Sequence, residues 1–300
     1  MRWLKLTTVK IVTRGKTLIF NAESGLLPVE VTGVAGADPN VKISTLAQLD
    51  GGYIESDKIA KRLIKIKVVP INRSAVEKLR QQLVDTIIPH EDAELFITRN
   101  GRTRSIRGRL SGQITVSKAA AGWTRAYTIT FVCPQPYLLD EEEQEIVFRQ
   151  VVPLFSFPLS SFVVESYNPI TETNERTVAG TVTGMMVTTD ARYLVNGGDT
   201  EIGIRAQLEA YAGTVINPWI SDGTNKVRVL CQMEVGDVVT ISTVPGEKYV
   251  KLNGANFMFF DRNSSFFSVP VGVSEISVGA DSGTDNLRSR VVYRRKYSGV

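Results

Sequence analysis

One stretch of this chain carries a clear helical period: NRSAVEKLRQQLVDTIIPH, residues 72 to 90. Val76, Leu79, Leu83 and Ile87 recur at the spacing that puts them on one face. Ser74, with Glu77 three residues later, has the form of a capping box, and Pro89 marks the stop. These signals predict a helix over about 74–88 that packs on a sheet, with Lys78, Arg80, Gln81 and Asp85 turned to water. Most other segments alternate apolar and polar residues, or cluster β-branched and aromatic ones between Gly, Asn and Pro turns. A chain patterned in this way folds mainly as β with one clear helix (α+β).

In the first half, LKLTTVKIV, KTLIFNA and KRLIKIKVVPI read as strands, the last with Leu63, Ile64, Ile66 and Val68 between lysines. The stretch 24–56 contains Gly-rich breaks and a proline, which predict a long loop or extended arm. Further on, Asn100-Gly101 separates two alternating segments, the signature of a hairpin whose type I′ turn needs positive φ at both central residues. Arg99, Arg102, Arg104, Arg107 and Arg109 surround that turn. Such a ribbon suits an anionic partner and raises nucleic acid as a candidate. Against this, a two-stranded ribbon must fill its polar face, and arginine discourages unwanted edge pairing. No aromatic residues are interleaved as a base-stacking platform would require.

RAYTITFVCPQPYLL runs as one more strand, with Tyr127, Ile129, Phe131 and Cys133 on one side. Pro134 ends it, because proline cannot donate to a central ladder. Pro134 and Pro136 stiffen the exit, and Asp140 to Glu145 are expected to begin a solvated connection. The charge changes sign there as well. Residues 1–139 carry 21 Lys and Arg against 11 Asp and Glu, a net of +10, whereas 140–300 carry 14 against 20, a net of −6. Two domains are expected, 1–139 and 140–300. In the second, DVVTISTVPGEKYVKLNG and FFSVPVGVSEISVGA typify many short strands with turn signals, which argues for a sandwich or jelly roll. AQLEAYAG has the look of a helical turn, but its flanks are strand-like. The last strand, in RSRVVYRRKYSGV, is a candidate to return to the first domain.

The chain nominates no catalytic, cofactor-binding or metal-binding residue. Its two cysteines, Cys133 and Cys231, lie far apart and supply neither a paired zinc site nor a disulfide framework. Cys133 reads as a small buried hydrophobe. His90 is the single histidine, which excludes a multi-histidine metal site, and its neighbours place it in a solvated loop between helix and strand. GVAGAD lacks the strand-turn-helix context of a phosphate loop, and no nucleophile-elbow serine occurs. Acids such as Asp261 and Glu275 read as solvated turn residues. An enzyme is therefore not expected. No apolar run approaches the roughly 20 residues that cross a bilayer, and MRWLKLTTVKIVTRGK lacks a signal-peptide pattern. A soluble chain made in the cytoplasm, with no membrane insertion, is the expectation.

From FVCPQPYLLD, residues 131 to 140, the sequence resembles the distal tail protein (Dit) family of long non-contractile-tailed bacteriophages. AVEKLRQQL, RTRSIRGRLSG and FVCPQPY follow one another in that family's order, and GTVINPWI, MEVGDVVTIST and VKLNGANFM resemble its second domain. Gln135 stands where relatives often carry Asp between the prolines. The resemblance implies a virion structural protein at the distal end of a siphovirus tail, assembled in the host cytoplasm. It implies a ring-forming first domain and a galectin-like second one. The ring would be a homo-hexamer joining the tail-tube protein to the baseplate hub protein, with receptor-binding proteins as further partners. DNA would pass through the central channel without specific binding. A channel that gripped phosphates would slow passage, so the five arginines are expected to face protein. The alternative function is a carbohydrate-binding module, with Trp219 and Tyr193 as candidate sugar contacts, although the histidine-containing motif of galectins is missing.

Overall fold

The computed structural model describes residues 7–36, 38–46, 50–59, 61–71, 73–118, 125–148, 191–257 and 259–300, and the backbone of four strands between 151 and 187. The capping role of Ser74, the direction of Lys78 and the strand reading of residues 1–6 and 179–184 lie outside what is described.

In chain order, the first half runs β1 (Thr7–Thr13), β2 (Lys16–Phe20), β3 (Leu26–Thr32), β4 (Asn40–Thr45), β5 (Gly52–Lys58), β6 (Arg62–Pro70), α1 (Arg73–Thr86), β7 (Asp92–Arg99), β8 (Arg102–Leu110), β9 (Thr115–Lys118), β10 (Arg125–Cys133) and β11 (Leu138–Asp140). The antiparallel order β2-β1-β7-β8-β10-β6-β3 forms the body of one sheet, with β9 added to β10 and β11 to β8. Period-2 patterning decides which side chains enter its core. On β6, Ile64, Ile66 and Val68 are buried while Lys65 faces out, and Leu63, one residue out of phase, is exposed. Ile129, Phe131 and Cys133 of β10 join them from the neighbouring strand. Helix α1 lies on β2 and β6 through Leu79 and Leu83, with Ile87 just beyond its end, and Val84 and Arg80 face solvent. Of the stretch 24–56 expected as a loop or arm, Leu26–Thr32 is instead a strand registered on β6, because Leu26 and Pro28 find buried places there. The part that leaves the sheet is the separate two-stranded hairpin β4–β5.

The second half contains β12 (Gln144–Phe148), β13 (Val151–Pro153), β14 (Val163–Asn168), β15 (Thr173–Val178), β16 (Met185–Val187), β17 (Ala191–Asn196), β18 (Ile204–Ala210), β19 (Val215–Ser221), β20 (Lys226–Arg228), β21 (Gln232–Met233), β22 (Val238–Ser242), β23 (Tyr249–Leu252), β24 (Ala255–Asn256), β25 (Gly272–Ser282), β26 (Leu287–Tyr293) and β27 (Lys296–Tyr297). Strands β12-β26-β18-β22-β23-β24 make one sheet and β17-β25-β19-β20, with β21 on β19, another. Ile204, Leu208, Ile241 and Val291 from the first meet Leu194, Ile220, Ile276 and Val278 from the second in one apolar cluster. This is a two-sheet sandwich, compatible with the galectin-like expectation. AQLEAYAG lies mostly in β18, a strand. The chain is thus mainly β with one α-helix among its described residues.

The last residues do not stay with the sandwich. β27 pairs with β11 and so enters the first sheet. Val300 N–H then donates to Val34 O at 3.1 Å, and Arg62 Nη2 donates to Ser298 O at 2.5 Å.

Candidate functional site

The seam between the halves is built where β8, β11 and β27 run side by side. Register sets Asp140 opposite Arg104, and Leu138 opposite Tyr297. The Arg104 guanidinium forms an ion pair with Asp140 and lies 3.5 Å from the centroid of the Tyr297 ring, while Tyr297 Oη donates to Asp140 at 3.4 Å. Both members of the pair are mostly hidden from solvent. This corrects the expectation that Asp140 opens a solvated connection. Sequence alternation around residue 140 carries no sign of the two strands that arrive on either side of it. The acids after it are also engaged: Glu143 sits 3.2 Å from Arg294, and Glu145 3.7 Å from Arg290. The seam is a riveted junction rather than a free linker.

The five arginines of the β7–β8 ribbon have separate fates. Asn100 and Gly101 have φ of 52° and 76°, the left-handed backbone a type I′ turn requires, with Arg99 and Arg102 facing each other across it. Both are exposed. Arg104 is spent inside the chain, which removes it from any free surface. Arg109 pairs with Asp92 on the adjoining strand, and that bond holds the Asp92 carboxyl below the usual carboxylate range. Arg107 stands opposite Glu94 and borders a cleft. The continuous cationic strip suggested by the sequence is therefore broken up, and Arg99, Arg102 and Arg107 remain without an ion pair among the described residues.

The β4–β5 hairpin is the most exposed apolar element of the first half. Ile43 and Ile54 face each other across it at 62% and 64% exposure, beside Tyr53 at 56%. An isolated hairpin of this kind has little stability alone, and exposed apolar residues this concentrated mark a contact surface.

On the sandwich, Trp219 opposes Gly279, where an added Cβ would come within 2.6 Å of the ring. Lys226 Nζ lies 4.1 Å from the Trp219 centroid. Trp219 is thus half-buried, with the Gly279 backbone against one part of the ring and an ammonium near its centroid. Tyr193 is 69% exposed on β17, close to exposed Val195 and Val273. The structure does not bring the two aromatic candidates together on one strand pair. Asp261, read as a solvated turn residue, accepts from Arg228 at 3.0 Å, and Asp281 binds the same guanidinium. His90 is exposed in the turn after α1. Among the described residues no group of His, Cys, Asp and Glu is placed to hold a metal, and no helix is long and apolar enough to cross a membrane. Burial pushes the Cys133 thiol up to about 11, with nearby Arg62 working against the shift, so it stays protonated at neutral pH.

Sequence reasoning missed the residues that make the seam, above all Arg294, Lys296 and Tyr297. The only trace they left was the basic, alternating character of the last strand.

Residues 197–297 match a family model, SPP1_Dit, described as siphovirus-type tail component, C-terminal domain. By fold, the chain resembles the Dit protein of phage SPP1, with a TM-score of 0.64 at 12% identity over 96% of this chain and 98% of that one. That protein is described as a paradigm of the hub adsorption apparatus in phages infecting Gram-positive hosts. It also resembles a chain of the phage p2 baseplate in its activated conformation with calcium, at TM-score 0.55 and 11% identity over 98% of this chain and all 100% of that one. The strontium form of that baseplate gives a TM-score of 0.52 at 11% identity, with the same coverage. No curated protein matches the chain. Family model and fold agree in supporting the Dit resemblance.

Proposed function

We propose that this chain, whose residues 197–297 fall within the siphovirus-type tail component family, is a distal tail protein: a structural component of a phage tail tip and its baseplate. In this reading it forms a homo-hexameric ring on the virion, connects the tail-tube protein to the baseplate hub and receptor-binding proteins, and leaves a central channel for the genome. The observation that carries assembly is the β4–β5 hairpin, whose Ile43, Tyr53 and Ile54 are left to water in the single chain. Covering such a surface with a neighbouring subunit removes its cost, and repetition of one heterologous contact closes a ring. Arg99 and Arg102 at the hairpin tip are proposed as protein-facing contacts, with Arg109 contributing through its Asp92 pair, whereas Arg107 borders the cleft and is left out of this set. The functional reading is not enzymatic.

The test is the solution mass by light scattering at low and physiological salt. A particle six times the 33.0 kDa chain is expected. A single-chain mass at every concentration and salt would sink ring formation by the chain itself and move weight to the carbohydrate-binding alternative. That alternative keeps Tyr193 and Trp219 as its proposed sugar contacts, Tyr193 being the more exposed of the two, and a glycan array tests it.

A further inference from the structure

A cleft of about 290 Å³ lies between the first sheet and the sandwich. Strand register assembles its floor. Ser105 on β8 faces Leu139 on β11, and Leu139 faces Lys296 on β27, so Ser105 and Lys296 share one face two strand spacings apart, roughly 10 Å. Arg107, two residues along β8 from Ser105, shares that face. The opposite wall comes from the sandwich, including Val244 and Pro245.

Most charges around the cleft are matched. Arg205 pairs with Glu247 at 2.6 Å, and Arg294 with Glu143 at 3.2 Å and Glu94 at 3.8 Å. Arg107 and Lys296 make no ion pair among the described residues. Burial draws the Lys296 ammonium below its ordinary range, with Glu201 acting the other way. Beneath them, Ser105 is 1% exposed and its Oγ has no hydrogen-bond partner. Two cations without an ion pair of their own, over an unsatisfied buried hydroxyl in a cleft large enough for a small ligand, are a set of groups that can take an acceptor.

We propose that this cleft binds a small organic oxyanion, its carboxylate or phosphate head held by Arg107 and Lys296 above Ser105 and its apolar body against Leu139, Val244 and Pro245. The head supplies both cations with charge-assisted hydrogen bonds and the hydroxyl with an acceptor. Because the walls come from both halves of the chain, the bound anion ties their arrangement together.

The experiment is calorimetric titration and thermal melting of the full chain with inorganic phosphate and, separately, benzoate, each against chloride at matched ionic strength. A saturable rise in melting temperature with at least one anion is expected, and which anion produces it identifies the head group. Arg107→Gln, on an exposed side chain without an ion pair among the described residues, and Lys296→Met should each weaken binding by about tenfold or more. Ser105→Ala should weaken binding while leaving the unliganded protein as stable as before or more so, since it removes an unpaired hydroxyl. No saturable effect beyond chloride with either anion overturns the proposal. So does unchanged affinity in folded Arg107→Gln and Lys296→Met proteins.

Discussion

Cys133 and Gly108 sit on adjoining strands so close that a Cβ at position 108 would lie 2.7 Å from Cys133 Sγ and 3.0 Å from Val132 O. Gly108→Ala should therefore cost about 1–3 kcal/mol by overpacking, read from urea unfolding. Cys133→Ser should cost about 1–3 kcal/mol, because a hydroxyl replaces a thiol in an apolar site, with no change in metal content or redox behaviour. Bound metal lost from that variant would contradict a purely packed role. The Arg104–Asp140 pair is of a different kind. Removing the guanidinium in Arg104→Gln strands a carboxylate with 18% of its side chain exposed, and a loss of about 2–4 kcal/mol is expected. If that variant unfolds at the wild-type urea midpoint, the pair does not rivet the seam.

Among the elements, those set by local rules were legible from sequence. Helix α1 came from the period of Val76, Leu79 and Leu83, and the β7–β8 hairpin from Asn100-Gly101, since neighbours within a turn of helix or two strand ends determine both. The arm was legible only as a break in pattern. Its exposed residues alternate like those of any strand, and only the tertiary structure leaves both faces uncovered. For the arm, Ile43→Lys and Ile54→Lys should lower the mass seen by light scattering without lowering the melting temperature of the single chain. A fall in melting temperature with unchanged mass would place these residues in the fold and not in an interface.

Across the whole molecule, stability should depend on acid. Asp199 accepts from Ser298 N–H and Oγ, Asp281 from Arg228 and Asn217, and Asp237 from Asn253 and the Glu234 N–H, and each carboxyl is held below its ordinary range. A depressed folded pKa adds stability that is present above the unfolded value, near 3.9, and is lost as pH falls through the folded value. The melting temperature should hold from pH 7 to about 5 and drop below about 4. Asp199→Asn should melt lower at pH 7 and lose part of that acid drop, because it uncouples the returning carboxy terminus. An acid limb unchanged in Asp199→Asn and Asp281→Asn would assign it to other carboxylates.

Sequence by itself determined the β class, the single clear helix, the Asn-Gly hairpin and the buried side of β10, since period, turn chemistry and proline act over a few residues. It also carried enough ordered motifs to suggest a family. It did not determine where Asp140, Arg104 or Lys296 would lie. Those positions depend on β27 crossing back to β11 over more than 150 residues of chain, and on Leu139 arriving between Ser105 and Lys296. Long-range pairing of that kind leaves no local periodicity, so the junction and its cleft were decided by the tertiary structure alone.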